Sequence, residues 1–206
     1  MRRAWAGAWA GLACAALLAG CGAVSRESAA DRAPPTTRNI LKVDSPQQHA
    51  SYTSGPCAAR AILRFYGRDY DEFDIAREMR IDDMTDTPPQ RLATWLENHA
   101  FTVTWGENGS IAGLCRDIDA GHPVLVEWRT DRGAHWATVI GYVRRVEADP
   151  TDGVLIFADP AAGAEHPDGR LRMEARDFDA LWQDGKSFAK PVTRVFITAV
   201  AAPPAR

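Results

Sequence analysis

The chain has 206 residues, 46% hydrophobic and 25% charged, with a formal net charge of −3. That suits one domain able to bury its own core. The slight acidity, with no Lys/Arg run beyond Arg2 and Arg3, argues against nucleic acid as a partner. His49, His99, His122, His135 and His166 show no metal-ligand spacing, and no glycine-rich phosphate loop occurs, so neither metal nor other cofactor is expected.

The N-terminus reads as an export signal. Arg2 and Arg3 precede an apolar run, Ala4 to Gly20, that is short for a membrane span. The run ends Leu18-Ala19-Gly20-Cys21, which resembles the bacterial lipoprotein cleavage box. The resemblance implies removal of residues 1–20 and a lipid anchor on Cys21. Gly22, rather than Asp, after the cysteine implies the outer membrane, with the protein facing the periplasm. The alternative is an ordinary signal peptide cut at a small residue nearby. Residues 21–45 are rich in Ala, Ser, Thr, Pro and charge without apolar periodicity and read as a flexible tether. The folded domain is expected over residues 46–201.

A helix is predicted from Ser54 to Gly67. Ser54 suits an N-cap, Pro56 the first turn, and Gly67 a C-terminal stop. Ala58, Ala61, Ile62 and Phe65 give it a mostly small apolar face, which places it at the centre of the domain. A short helix over Asp71–Met79 and an acidic loop, Asp82–Asp86, follow. Thr87 to Gln90 has the form of a capping box opening a helix with Leu92, Trp95, Leu96 and His99 on one side; His99 reads as a core or boundary residue. Phe101–Trp105 alternates as a strand. Ser110 caps a helix carrying Ile111, Leu114, Cys115 and Ile118, closed by Gly121. The period then changes: Pro123–Trp128, His135–Val143, Val154–Ala158 and Val192–Val200 are strand-like, with a short helix over Asp177–Trp182. Helices followed by mainly antiparallel strands make an α+β layout.

Gln48 lies six residues before Ser54, and Gly67 thirteen after it. With Gly55, Pro56 and the small residues behind them, this segment resembles the active-site helix of papain-like cysteine peptidases, above all the bacteriocin-processing (double-glycine leader) peptidases. Both spacings place Ser54, not Cys57, where that family carries its nucleophilic cysteine. Gly133-Ala134-His135-Trp136 to Tyr142 resembles the family's histidine strand, Asp159-Pro160 to Gly163 its aspartate turn, and Met173 through Phe178 to Trp182 its later helix. The resemblance implies a papain-like fold and a peptide or protein substrate, such as a secreted leader peptide. It also implies a site of Gln48 (oxyanion amide), Ser54 (nucleophile position), His135 (base) and Asp159 (orienting carboxylate). Register supports the last pair independently: continuing from Val143 facing Val154, Asp159 comes opposite Thr138 and His135 opposite Ala162, at one end of one hairpin, to within a residue or two.

Three readings of the substituted position stay open. Ser54 caps a degenerate, peptide-binding domain; or Ser54 is a working nucleophile of a serine hydrolase; or Cys57, one turn deeper, is the nucleophile. Cys57 and Cys115 form either a disulfide or two buried thiols.

Overall fold

The computed structural model describes residues 35–202, except 132, 164–165, 167, 183–184 and 188–189. The expected signal segment and Cys21 therefore lie outside the described residues.

Among the described residues β1 (Thr36–Ile40) comes first, then α1 (Ser54–Phe65), α2 (Glu72–Met79), α3 (Pro89–Asn98), β2 (Phe101–Gly106) and α4 (Ile111–Asp119). The second half is β3 (Val124–Thr130), β4 (Gly133–Arg145), β5 (Gly153–Ala158), β6 (Arg170–Glu174), α5 (Ala175–Leu181), β7 (Gly185–Ser187), β8 (Lys190–Val192) and β9 (Phe196–Ala201). Seven strands form one antiparallel sheet in the order β2-β9-β3-β4-β5-β6, with β1 pairing β4 beside this path; β7 and β8 pair separately. The α+β expectation holds.

Both sheet faces are covered, which is why the central strands read as near-continuous apolar runs. On one face Ala58, Ala59, Ile62 and Leu63 of α1 and Leu92 and Leu96 of α3 pack with Leu125, Trp136 and Ile197. On the other, α4 and α5 bring Ile111, Leu114, Phe178 and Trp182 against Val126, Val139 and Phe157. The centre of the domain is α1, buried nearly all round and not on one face alone; its less buried side carries Arg60 and Arg64, which both grip Asp69. Those two guanidiniums hold the Asp69 carboxyl well below the usual carboxylate range. The stop at Gly67 is a Schellman motif: Gly67 has φ +75°, and the N–H groups of Gly67 and Arg68 bond the carbonyls of Arg64 and Leu63. At the far end of α4, Gly121 has φ +84°, and at its start Ser110 accepts from the Gly113 N–H as its spacing predicts.

Three expectations need correction. Residues 36–43, expected within the tether, belong to the folded domain: β1 pairs with β4 from Thr36↔Arg145 to Ile40↔Gly141, and Val43 is buried. Ser54 is the first residue of α1 and not its cap; Thr53 precedes the helix, and no side chain caps it. Thr87 does not form a capping box either. Its carbonyl accepts from Trp136 Nε1 at 3.0 Å, and its side chain lies so close to α1 that a Cβ on Gly55 would meet it at 2.6 Å. Gly55 is therefore the residue that lets α3 dock on the start of α1. His99 is a boundary residue as expected, stacked on Trp95 at 3.8 Å between ring centroids.

Candidate active site

The first turn of α1 is held from outside the helix. Glu72, fully buried at the start of α2, accepts from the His49 N–H at 2.7 Å and from the Thr53 hydroxyl at 2.9 Å, and its other oxygen lies 2.9 Å from His49 Nδ1. This carboxylate pins the turn of residues 49–53, and so the position from which Ser54 enters the helix. Gln47 ties the same segment to the sheet: its Nε2 donates to the Asp159 carbonyl and its Oε1 accepts from the Gly163 N–H, both at 2.9 Å. The Gln48 N–H adds a bond to the Pro160 carbonyl at 2.9 Å. Sequence reasoning missed Glu72 and Gln47. An acidic residue in a first helical turn reads as an ordinary dipole partner, and two adjacent glutamines carry no sign of which one bridges.

On the sheet side, His135 Nε2 lies 2.8 Å from Asp159 Oδ1. A carboxylate acceptor fixes the proton on Nε2 and leaves the Nδ1 lone pair as the base. The same Oδ1 accepts from the Ala161 N–H at 2.8 Å, so Asp159 orients the imidazole and closes its own turn at once. The Trp128 ring meets the imidazole edge-on at 4.7 Å.

A bulge makes the His–Asp pair possible. Val143 faces Val154 as expected, but the register shifts at Ile140, and Thr138 then faces Ala158 and Val139 faces Phe157. Side chains alternate between faces. In the unbroken register Asp159 would lie opposite Thr138, on the face away from His135. The extra residue moves Asp159 to the face of Phe157, Val139 and His135.

Gln48, Ser54, His135 and Asp159 all line one cleft of about 540 Å³, walled by Tyr52, the acidic loop and the β3–β4 hairpin. Ser54 is 6% exposed, and its Oγ accepts from the Trp136 N–H at 3.4 Å. No hydrogen bond joins the Ser54 hydroxyl to His135 Nδ1. Gln48 Nε2 donates to the Ala50 carbonyl at 2.8 Å, leaving its second N–H for a ligand; Oε1 is buried without a partner among the described residues.

Cys57 does not reach this cleft. It is fully buried, its thiol donates to the Pro46 carbonyl at 3.2 Å, and burial, reinforced by the Glu72 carboxylate, pushes its pKa up to about 12. Buried away from the cleft, with its thiol on the Pro46 carbonyl, it lacks the access to a substrate that the third reading needs. Cys115 is likewise a buried free thiol, among the side chains under α4, so the disulfide is not formed.

Residues 40–188 match the Peptidase_C39 like family, and the chain belongs to that family. Its fold is that of papain-like peptidase domains. The chain is similar to the peptidase domain of Streptococcus ComA, a bi-functional ABC transporter involved in a quorum sensing pathway. That match has 15% identity and TM-score 0.55, covering 79% of this chain and 98% of the other. It is similar to a double glycine motif protease from an AMS/PCAT transporter, solved in complex with the leader peptide (12%, TM-score 0.55, 82% and 98%). A C39-like peptidase from Bacillus anthracis matches at 14% identity and TM-score 0.56, over 81% and 100% of the two chains. No curated protein matches the chain.

Proposed function

We propose that this is a lipid-anchored, periplasm-facing lipoprotein whose peptidase-type cleft binds an extended peptide without thiol chemistry. The observation that carries the reading is the hydroxyl at the start of α1: Ser54 Oγ takes the Trp136 N–H, in a cleft that keeps the His135–Asp159 pair. A thiol beside an imidazole can be held as thiolate; a serine hydroxyl must lose its proton during attack, and here it makes no hydrogen bond to the base. A double glycine motif protease of like fold has been solved with its leader peptide, which supports an extended peptide, such as a secreted leader, as the occupant. The box ending at Cys21 supports the anchor on the outer membrane; incorporation of labelled palmitate, lost in Cys21→Ser, is its test.

A second reading has its own support. The His135–Asp159 bond leaves a base in the same cleft as a hydroxyl at a helix N-terminus, the groups a serine hydrolase needs. A serine-directed fluorophosphonate, paired with calorimetric titration of peptides, separates the two. Binding is expected with no label on Ser54. Stoichiometric labelling, absent in Ser54→Ala, would establish the hydrolase.

A further inference from the structure

One wall of the cleft is acidic, and nothing in the described chain neutralises it. Asp83 and Asp86 of the acidic loop and Asp131 of the β3–β4 turn line the cleft, whose described lining includes no Lys or Arg. None of the three makes a hydrogen bond or ion pair among the described residues. The loop is set against the hairpin: a Cβ on Gly133 would come within 3.8 Å of Asp86 Oδ1. Arg129, further back on β3, is exposed and pairs with none of them.

Behind this wall stands a second, independent feature. Glu127 of β3 is 3% exposed, and both its carboxylate oxygens are buried with no partner among the described residues. It sits opposite Trp136 in the ladder, on the side of the sheet whose Trp136 side chain reaches the Thr87 carbonyl. The neighbouring charge that acts on it is Asp86, the residue that faces the cleft. Buried polar atoms are ordinarily satisfied, so an orphaned Glu127 carboxyl beside the unpaired Asp86 marks a crowding of acidic groups with no cation among the described residues to offset it. Next to it the apolar lip is unusually bare: Met84, at the tip of the loop, is 90% exposed.

Resting on the peptide-binding reading above, we propose that the cleft selects a peptide with a basic side chain. The Lys or Arg head docks against Asp86 and Asp131, in front of Glu127, and its aliphatic stem lies along Met84. Long cationic side chains bury their stems on apolar surface while the charge stays at a polar rim, and a cleft lined by one sign of charge concentrates ligands of the other.

The test is an array of blocked decapeptides randomised at every position, probed with the full chain, followed by titration of one selected peptide and its Lys/Arg→Gln analogue. Bound peptides should be enriched in Lys or Arg, and the analogue should bind about tenfold more weakly. The difference should shrink at high salt and disappear in the Asp86→Asn/Asp131→Asn chain, whose melting temperature reports that it remains folded. Equal binding of neutral or acidic peptides would overturn this inference and leave the peptide-binding reading standing. A basic preference unchanged in the double variant would also overturn it, by placing the cation elsewhere. No bound peptide at all would overturn both.

Discussion

Ser54→Cys is expected to create a thiol that alkylates rapidly at neutral pH, with an apparent pKa of about 7 or lower against the ordinary ~8.5. Position 54 is the first residue of α1, where the unpaired N–H groups and the helix dipole favour an anion. His135, held by Asp159 and lining the same cleft, supplies an imidazolium counter-charge. At a pH below both values, lowering a thiol's pKa by one raises its thiolate fraction about tenfold. The two described cysteines add little background, because burial pushes the Cys57 thiol up to about 12 and also raises that of Cys115; site-resolved mass spectrometry separates residue 54 from Cys14 and Cys21. The rate of iodoacetamide labelling against pH, read by mass spectrometry, gives the midpoint. Adding His135→Ala should return it toward ~8.5. A Ser54→Cys thiol with an ordinary midpoint would mean that neither helix end nor imidazole acts on position 54. If the natural serine is all that separates this cleft from peptidase chemistry, the cysteine variant should also cleave peptides that the native chain only binds.

Glu127 governs the second large effect. Burial, with the Asp86 charge beside it, raises its carboxyl pKa from 4.5 to about 8. The folded state therefore holds this proton more tightly than the unfolded chain, which releases it near 4.5. Between those two values the folded state binds more protons, so the contribution is fully present below about pH 4.5 and is lost as pH rises to about 8. The loss should be on the order of 5 kcal/mol. Urea unfolding of the native chain and of Glu127→Gln at the two ends of that window checks it: the native chain should weaken more toward high pH than the variant, by about that amount. Parallel pH dependence would show that Glu127 does not carry the proton.

Much of the site was legible because it rests on short segments. The spacing from Gln48 to Ser54 and on to Gly67 survives folding, since it belongs to one turn and one helix. That His135 and Asp159 share a hairpin end followed from pairing Val143 with Val154. Which face Asp159 occupies did not follow, because the bulge at Ile140 is one residue in an apolar run that reads the same with or without it. The capping box failed for a tertiary reason: the Thr87 backbone and side chain are claimed by Trp136 and by the close approach at Gly55.

Polarity hid two strands. The polar Thr36, Thr37, Arg38 and Asn39 of β1 look like tether, yet pair with β4. In β6, Leu171 and Met173 alternate with Arg170, Arg172 and Glu174, a half-exposed pattern obscured by its charges. Pairing to β5 decides it, from Val154↔Glu174 to Ala158↔Arg170. The acidic loop was visible as composition, but only the fold turns it into a cleft wall.

Photo-cross-linking addresses most directly the claim that the helix end and the hairpin together form a peptide site. A peptide chosen from the array, carrying a photoreactive residue, would be irradiated with the full chain and the adducts mapped by mass spectrometry. Adducts should fall on Tyr52, Met84, Trp128 and His135, and competition with unlabelled peptide should abolish them. Adducts confined to other surfaces, with these residues unmodified at saturating peptide, would contradict the account.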